Sequence, residues 1–203
     1  MIAWWKRHGL RVVVHLAALM PLAALVWDYV TGGFLADPAR QTITRTGDAA
    51  LILLLASLAC TPVALWLRRP QLKPLRRPLG LYAFGYATLH LLAFAGWDYG
   101  FNWRLLWPAI ASQRFVLVGS AAWAILLALA VTSTRGAQRR LGRRWQGLHR
   151  AVYGAAALVI LHFALAVKTP RAPFLYGVAL AVLLLARLPA ARRAIARKRS
   201  ASL

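Results

Sequence analysis

Long apolar stretches separated by short, mostly basic connections dominate the chain. Six stand out: Leu10–Val30, Asp48–Leu67, Leu79–Trp97, Phe115–Ser133, Leu148–Val167 and Phe174–Pro189. A helix needs about 20 residues to cross the hydrocarbon of a bilayer, and each stretch reaches or approaches that length. None shows the period-two alternation of a barrel strand, and only helices or closed barrels satisfy their backbone groups in lipid. The pattern predicts an all-α membrane protein, a six-transmembrane-helix bundle forming one domain over residues 1–203. Pro21 and Pro62 fall inside spans and are expected to kink them. No small-residue cleavage pattern follows the first stretch, so it is expected to stay as a span.

Composition supports this reading. Of the 203 residues, 61% are hydrophobic and only 15% charged, too few to cover a soluble domain of this length. The net charge of +22 would suggest nucleic acid on a soluble protein. Here nearly every Lys and Arg lies between apolar runs, and the runs alternate in flanking charge. Twenty of the 26 basic residues fall on one side and six (Arg40, Arg45, Arg104, Arg114, Lys168 and Arg171) on the other. By the positive-inside rule, both termini face the cytoplasm of a bacterial inner membrane. Topology and lipid contact account for the basic runs, and no nucleic acid is expected.

The outer connections have their own character. Thr31–Gly47, with Gly-Gly and Asp-Pro, reads as an ordered or semi-ordered cap. Trp97–Arg114 carries Trp97, Tyr99, Phe101, Trp103 and Trp107, and reads as a helix or loop at the outer membrane interface or as a docking surface. The four acidic residues, Asp28, Asp37, Asp48 and Asp98, all lie at or beyond outer span ends, and Glu is absent. That excludes a carboxylate proton relay and carboxylate-bridged metals. No hydrolytic constellation is present. The single cysteine, Cys60, makes no internal disulfide or thiolate cluster and reads as a small buried residue.

The histidines carry more information. His8 precedes the first span, His15 lies early in it, His90 lies in the third, and His149 and His162 lie in the fifth. A single membrane histidine is usually a helix–helix hydrogen bonder. Several on two helices point to a cofactor, since imidazole is a standard axial ligand of haem iron. His90 sits 11 residues past Leu79 and His162 11 residues past Ala151, the points where their spans enter the lipid, so both are about 16 Å deep. A bis-histidine haem between helices three and five requires that equal depth. Ala83, Ala87, Ala93, Ala155 and Ala166 beside them leave room for a macrocycle or serve plain helix packing. His149 stands at the basic end beside Arg76, Arg77, Arg144 and Arg150, suited to carboxylates of a haem. It also fits an interfacial histidine. Thirteen residues separate His149 from His162, so in an ideal helix they point about 140° apart. They serve one face only if the winding departs from ideal, for instance through a π-bulge.

Two of these stretches, Arg76–Tyr99 (RRPLGLYAFGYATLHLLAFAGWDY) and Gly142–Phe163 (GRRWQGLHRAVYGAAALVILHF), together with Thr44–Val63, resemble the MsrQ family, formerly grouped as YedZ. Its members are haem-binding membrane subunits of bacterial periplasmic methionine-sulfoxide reductase systems, within the wider ferric reductase-like transmembrane group. The resemblance covers nearly the whole chain. It implies haem b, one or two per chain, with His90, His149 and His162 as axial ligands and Arg77 and Arg150 near the cofactor. It implies electrons from the quinone pool or a cytosolic flavin reductase, delivered to a periplasmic molybdopterin subunit, MsrP, that repairs oxidised proteins. The chain is then an electron-transfer subunit, not itself the enzyme. FMN is implied by resemblance alone, since no flavin motif is present.

The chain departs from the wider group's four-histidine pattern, because the third span has only His90, with Arg76 and Arg77 at the matching distance. A second haem would then need His149 with another ligand, His15 being the one other histidine in the basic half. The alternative is one haem, with His149 and its arginines forming a quinone or flavin site. The basic tail after the last span is too short for a nucleotide fold, so a separate donor is expected. Two further readings stand beside the electron-transfer one: a free-standing transmembrane metalloreductase or oxidase, which the absence of His, Cys and Met from the outer connections disfavours, and a haem-free scaffold or transporter.

Overall fold

The computed structural model describes residues 2–34 and 37–188, with backbone alone for residues 2–8. All regular elements among these are helices. They are α1 (Ile2–Thr31), α2 (Pro38–Trp66), a 3₁₀ turn (Pro70–Leu75), α3 (Arg76–Trp97), α4 (Trp103–Ser112), α5 (Arg114–Val131), α6 (Arg135–Leu141), α7 (Arg143–His149), α8 (Ala151–Ala166) and α9 (Arg171–Leu185). Five stretches are long and apolar enough to cross a membrane: Gly9–Thr31, Pro38–Trp66, Pro70–Trp97, Arg114–Val131 and Arg143–Ala166. The expected sixth, Phe174–Pro189, is represented by α9, whose 15 residues fall short of that length. Its winding ends at Ala186, where Arg187 and Leu188 donate to carbonyls only three residues back. Pro189 and the basic tail after it lie outside the described residues.

α2 is the central helix. It begins ten residues before the apolar stretch does, so much of the expected outer cap is helical. The reason is local. Asp37 caps the helix by accepting from the Arg40 N–H (2.9 Å), and Pro38 stands in the first turn, where its missing N–H costs nothing. Leu51, Leu53, Leu54, Leu55 and Leu58 bury α2 on several sides. Its most extensive partner is α3, and α5 packs chiefly against α8, less extensively. Ala83 and Ala155, both fully buried, let these pairs approach one another. Large apolar side chains on α1, α5 and α9, among them Met20, Leu117 and Phe174, remain exposed, as lipid-facing surfaces do.

Both span prolines are compensated by a side chain from another helix. Beyond Pro21, the Leu22 N–H donates to the Tyr86 hydroxyl (3.0 Å), which donates to the Ala18 carbonyl (2.8 Å). The hydroxyl is thereby inserted into the α1 ladder. Pro62 cannot reach back to the Leu58 carbonyl, and Arg187 donates to it instead. Arg187 also donates to the Tyr153 hydroxyl (2.6 Å), so it ties the end of α9 to α2 and α8.

Candidate functional site

α3 and α8 bring His90 and His162 together, with ring centroids 5.9 Å apart and ring planes nearly perpendicular. His90 Nδ1 lies 2.8 Å from the Ile43 carbonyl of α2, and His162 Nδ1 lies 2.7 Å from the Phe115 carbonyl of α5. A carbonyl only accepts, so Nδ1 carries the proton in both rings. Each Nε2 therefore keeps its lone pair, the state required of a metal-ligating imidazole oriented by a backbone carbonyl.

A glycine one turn beyond each carbonyl makes room for the ring. A Cβ on Gly47 would meet His90 Nδ1 at 3.0 Å, and one on Gly119 would meet His162 Nδ1 at 2.6 Å. The two sites are equivalent in sequence. Each histidine follows its carbonyl by 47 residues, and a shift of 72 residues converts Ile43, Gly47 and His90 into Phe115, Gly119 and His162. The same shift matches Ala49, Ala50, Leu54, Leu55 and Ala56 with Ala121, Ala122, Leu126, Leu127 and Ala128. Thus α2–α3 and α5–α8 form two like units running the same way, a parallel repeat. Reading the histidines alone misses the glycines and carbonyls, although this repeat is the signal that would have found them.

Two imidazoles without a third donor do not hold a bare ion, and no group of three metal-ligating side chains occurs among the described residues. A macrocycle that supplies four equatorial nitrogens needs only two axial ligands. With metal–nitrogen bonds of about 2 Å, a bis-imidazole iron sets the ring centroids roughly 6 Å apart, close to the observed spacing. The residues present fit a haem.

The basic end of the bundle differs. His149 Nε2 faces the Thr132 hydroxyl at 3.2 Å, and that hydroxyl donates to the Ala128 carbonyl (2.6 Å). Trp145 stacks on the His149 ring, with centroids 4.0 Å apart, and donates to the Thr132 carbonyl (2.9 Å). His149 and His162 both face α5, at its two ends. The departure from ideal winding is not a π-bulge but a break at Arg150, which separates α7 from α8 through i→i+3 bonds. A cavity of about 140 Å³ adjoins His149, lined also by Arg76, Arg77, Tyr153 and Arg187. The 72-residue shift places Arg77 where the other unit has His149.

Arg150 is exposed and is not among the residues that line the cavity. His15 lies on the α1 side of α3, where its Nδ1 and the Tyr82 hydroxyl are 2.9 Å apart. Ala83 and Ala155 are fully buried, as in plain helix packing, the other role open to them.

The chain matches the family of the ferric reductase like transmembrane component over residues 46–161, a segment that includes His90 and His149 and stops one residue before His162. It is also similar to curated bacterial proteins named "Protein-methionine-sulfoxide reductase heme-binding subunit MsrQ". The relative from Cronobacter sakazakii is 44% identical over 86% of this chain and 88% of its own length. One from Klebsiella pneumoniae is 44% identical over 91% of both chains. One from Yersinia pseudotuberculosis is 43% identical over 88% of this chain and 89% of its own.

Proposed function

The chain belongs to the MsrQ family of ferric reductase-like membrane proteins, and we propose that it carries electrons across the bacterial inner membrane on one haem b held by His90 and His162. The observation that carries this reading is the pair of imidazoles with Nδ1 occupied by carbonyls and Nε2 free. When bound, the haem supplies a one-electron Fe(III)/Fe(II) couple. The protein's part is to hold both rings in one tautomer and to surround them with apolar helices that keep water away.

In this reading the basic end faces the cytoplasm, as the charge asymmetry demands, and both termini lie there. Electrons enter at that end from the quinone pool or a cytosolic flavin reductase. They leave at the opposite face for a periplasmic molybdopterin subunit, MsrP, which reduces methionine sulfoxide in oxidised proteins. The names of the relatives support a reductase partner of this kind. FMN enters by family resemblance. His149, beside Thr132 and the cavity arginines at the basic end, is read as a positioning group rather than an iron ligand.

A reduced-minus-oxidised spectrum with haem per chain tests this on the purified protein. Wild type should show a b-type bis-histidine spectrum with about one haem. His90→Ala and His162→Ala should lose it, while His149→Ala should keep it. A wild type without haem under haem-replete expression would sink the reading.

A further inference from the structure

The cavity at the basic end is lined by three arginines and no acid. Arg76 and Arg77 start α3, and Arg187 reaches in from the end of α9. The one ion pair among the described residues is Arg45–Asp28, at the other end of the bundle. All four aspartates of the sequence belong to that other end, and there is no glutamate anywhere. No carboxylate side chain of this protein is therefore placed to neutralise the three guanidinium groups. Arg187 sharpens the point. Two of its nitrogens are spent on Tyr153 and Leu58, and its Nε is the one buried side-chain polar atom without a partner among the described residues. A guanidinium held between helices without a counter-charge is costly near a membrane, and the donor forks of Arg76 and Arg77 beside it match phosphate and carboxylate oxygens.

We propose that this cavity is a phosphate-binding site formed by Arg76, Arg77 and Arg187. Its volume, about 140 Å³, suits a phosphate group and falls below the roughly 300 Å³ at which whole small-molecule sites begin. A phosphate group thus enters while the rest of its molecule stays outside. Two sources besides the redox cofactors present this chemistry: the headgroup of an anionic phospholipid and free phosphate. Basic pockets between transmembrane helices on the cytoplasmic side are known to take lipid headgroups. The site lies 13 residues along α3 from His90, about 20 Å, and is independent of the haem reading.

The test uses the purified, haem-loaded protein in a neutral detergent. Its thermal midpoint is followed in two series. One adds inorganic phosphate against sodium chloride at equal ionic strength. The other adds phosphatidylglycerol against phosphatidylcholine. The variants are Arg187→Gln and the double variant Arg76→Gln/Arg77→Gln, with Arg139→Gln/Arg140→Gln on α6 as the charge control outside the cavity. A rise in the wild-type midpoint is expected, needing at least about tenfold more ligand in the cavity variants, one charge-assisted contact being worth about that factor. The control should behave as wild type, and the haem spectrum should not change. A rise with inorganic phosphate identifies free phosphate as sufficient, and a rise with phosphatidylglycerol alone identifies the lipid headgroup. If Arg187→Gln does not fold, the double variant carries the test. No rise in wild type with either additive, or an equal rise in cavity and control variants, overturns the proposal.

Discussion

The two ends of the α2–α3 and α5–α8 units are built on one repeated scaffold and have diverged in chemistry. At the Asp-bearing end the repeat is kept: two histidines, two carbonyls and two glycines, each pair separated by the same 72 residues. At the basic end it is broken, with Arg77 in one unit where the other has His149. Symmetry gives two imidazoles side by side, each with Nδ1 on a backbone carbonyl and Nε2 left as the lone-pair nitrogen. Asymmetry gives cations beside a hydrogen-bonded imidazole, which suits an anion. In the proposed reading, the repeated fold holds its redox centre at the level where its halves agree and binds an anion where they differ.

The largest expected effect breaks the symmetric level directly. His90→Ala or His162→Ala should each remove essentially all haem, measured as haem per chain, because a single axial imidazole is left opposite an apolar wall. Removing His149 the same way should leave most haem in place, and equal loss in all three variants would erase the distinction between the two ends. Next come the glycines. Gly119→Ala drives a methyl to 2.6 Å from His162 Nδ1, and Gly47→Ala drives one to 3.0 Å from His90 Nδ1. Overpacking of this kind costs about 1–3 kcal/mol. Both variants should shift the low-spin signals in electron paramagnetic resonance, Gly119→Ala more strongly, and an unchanged spectrum in both would show that the rings are not held by these contacts.

A smaller effect is expected at the α1 kink. Tyr86→Phe deletes the hydroxyl that serves Leu22 and Ala18, leaving two backbone groups unpaired at a cost of about 1–3 kcal/mol. Its thermal midpoint should fall with little change in the haem spectrum. The smallest effect on the bundle belongs to α4, where Trp103 and Trp107 are 72% and 67% exposed. Replacing both by Ala should leave haem content and thermal midpoint unchanged and slow electron delivery to the periplasmic partner. Loss of haem in that double variant would instead make α4 part of the scaffold.

Much of the bundle is legible in the sequence because hydropathy reports directly on a physical demand, that about 20 residues be apolar to cross lipid. The start of α2 is not legible that way, since residues 38–47 are polar and helical at once. Arg187 shows a second limit. In the sequence it is one more basic residue after a span, while in the fold it replaces the hydrogen bond that Pro62 cannot make to Leu58. His149 shows a third, because its nearness to Arg77 can be counted but its Nε2 bond to Thr132, 17 residues away on another helix, cannot.

The sequence by itself determined the helical membrane class, the charge asymmetry, and the equal depth of His90 and His162, for each depends on composition or spacing along one helix. Only the tertiary structure decided which imidazole nitrogens are free, which glycines admit the rings, and which arginines share a cavity. Those are properties of side chains meeting across helices, and a hydrogen bond or a close approach is set by distances of a few tenths of an ångström that no one-dimensional pattern encodes.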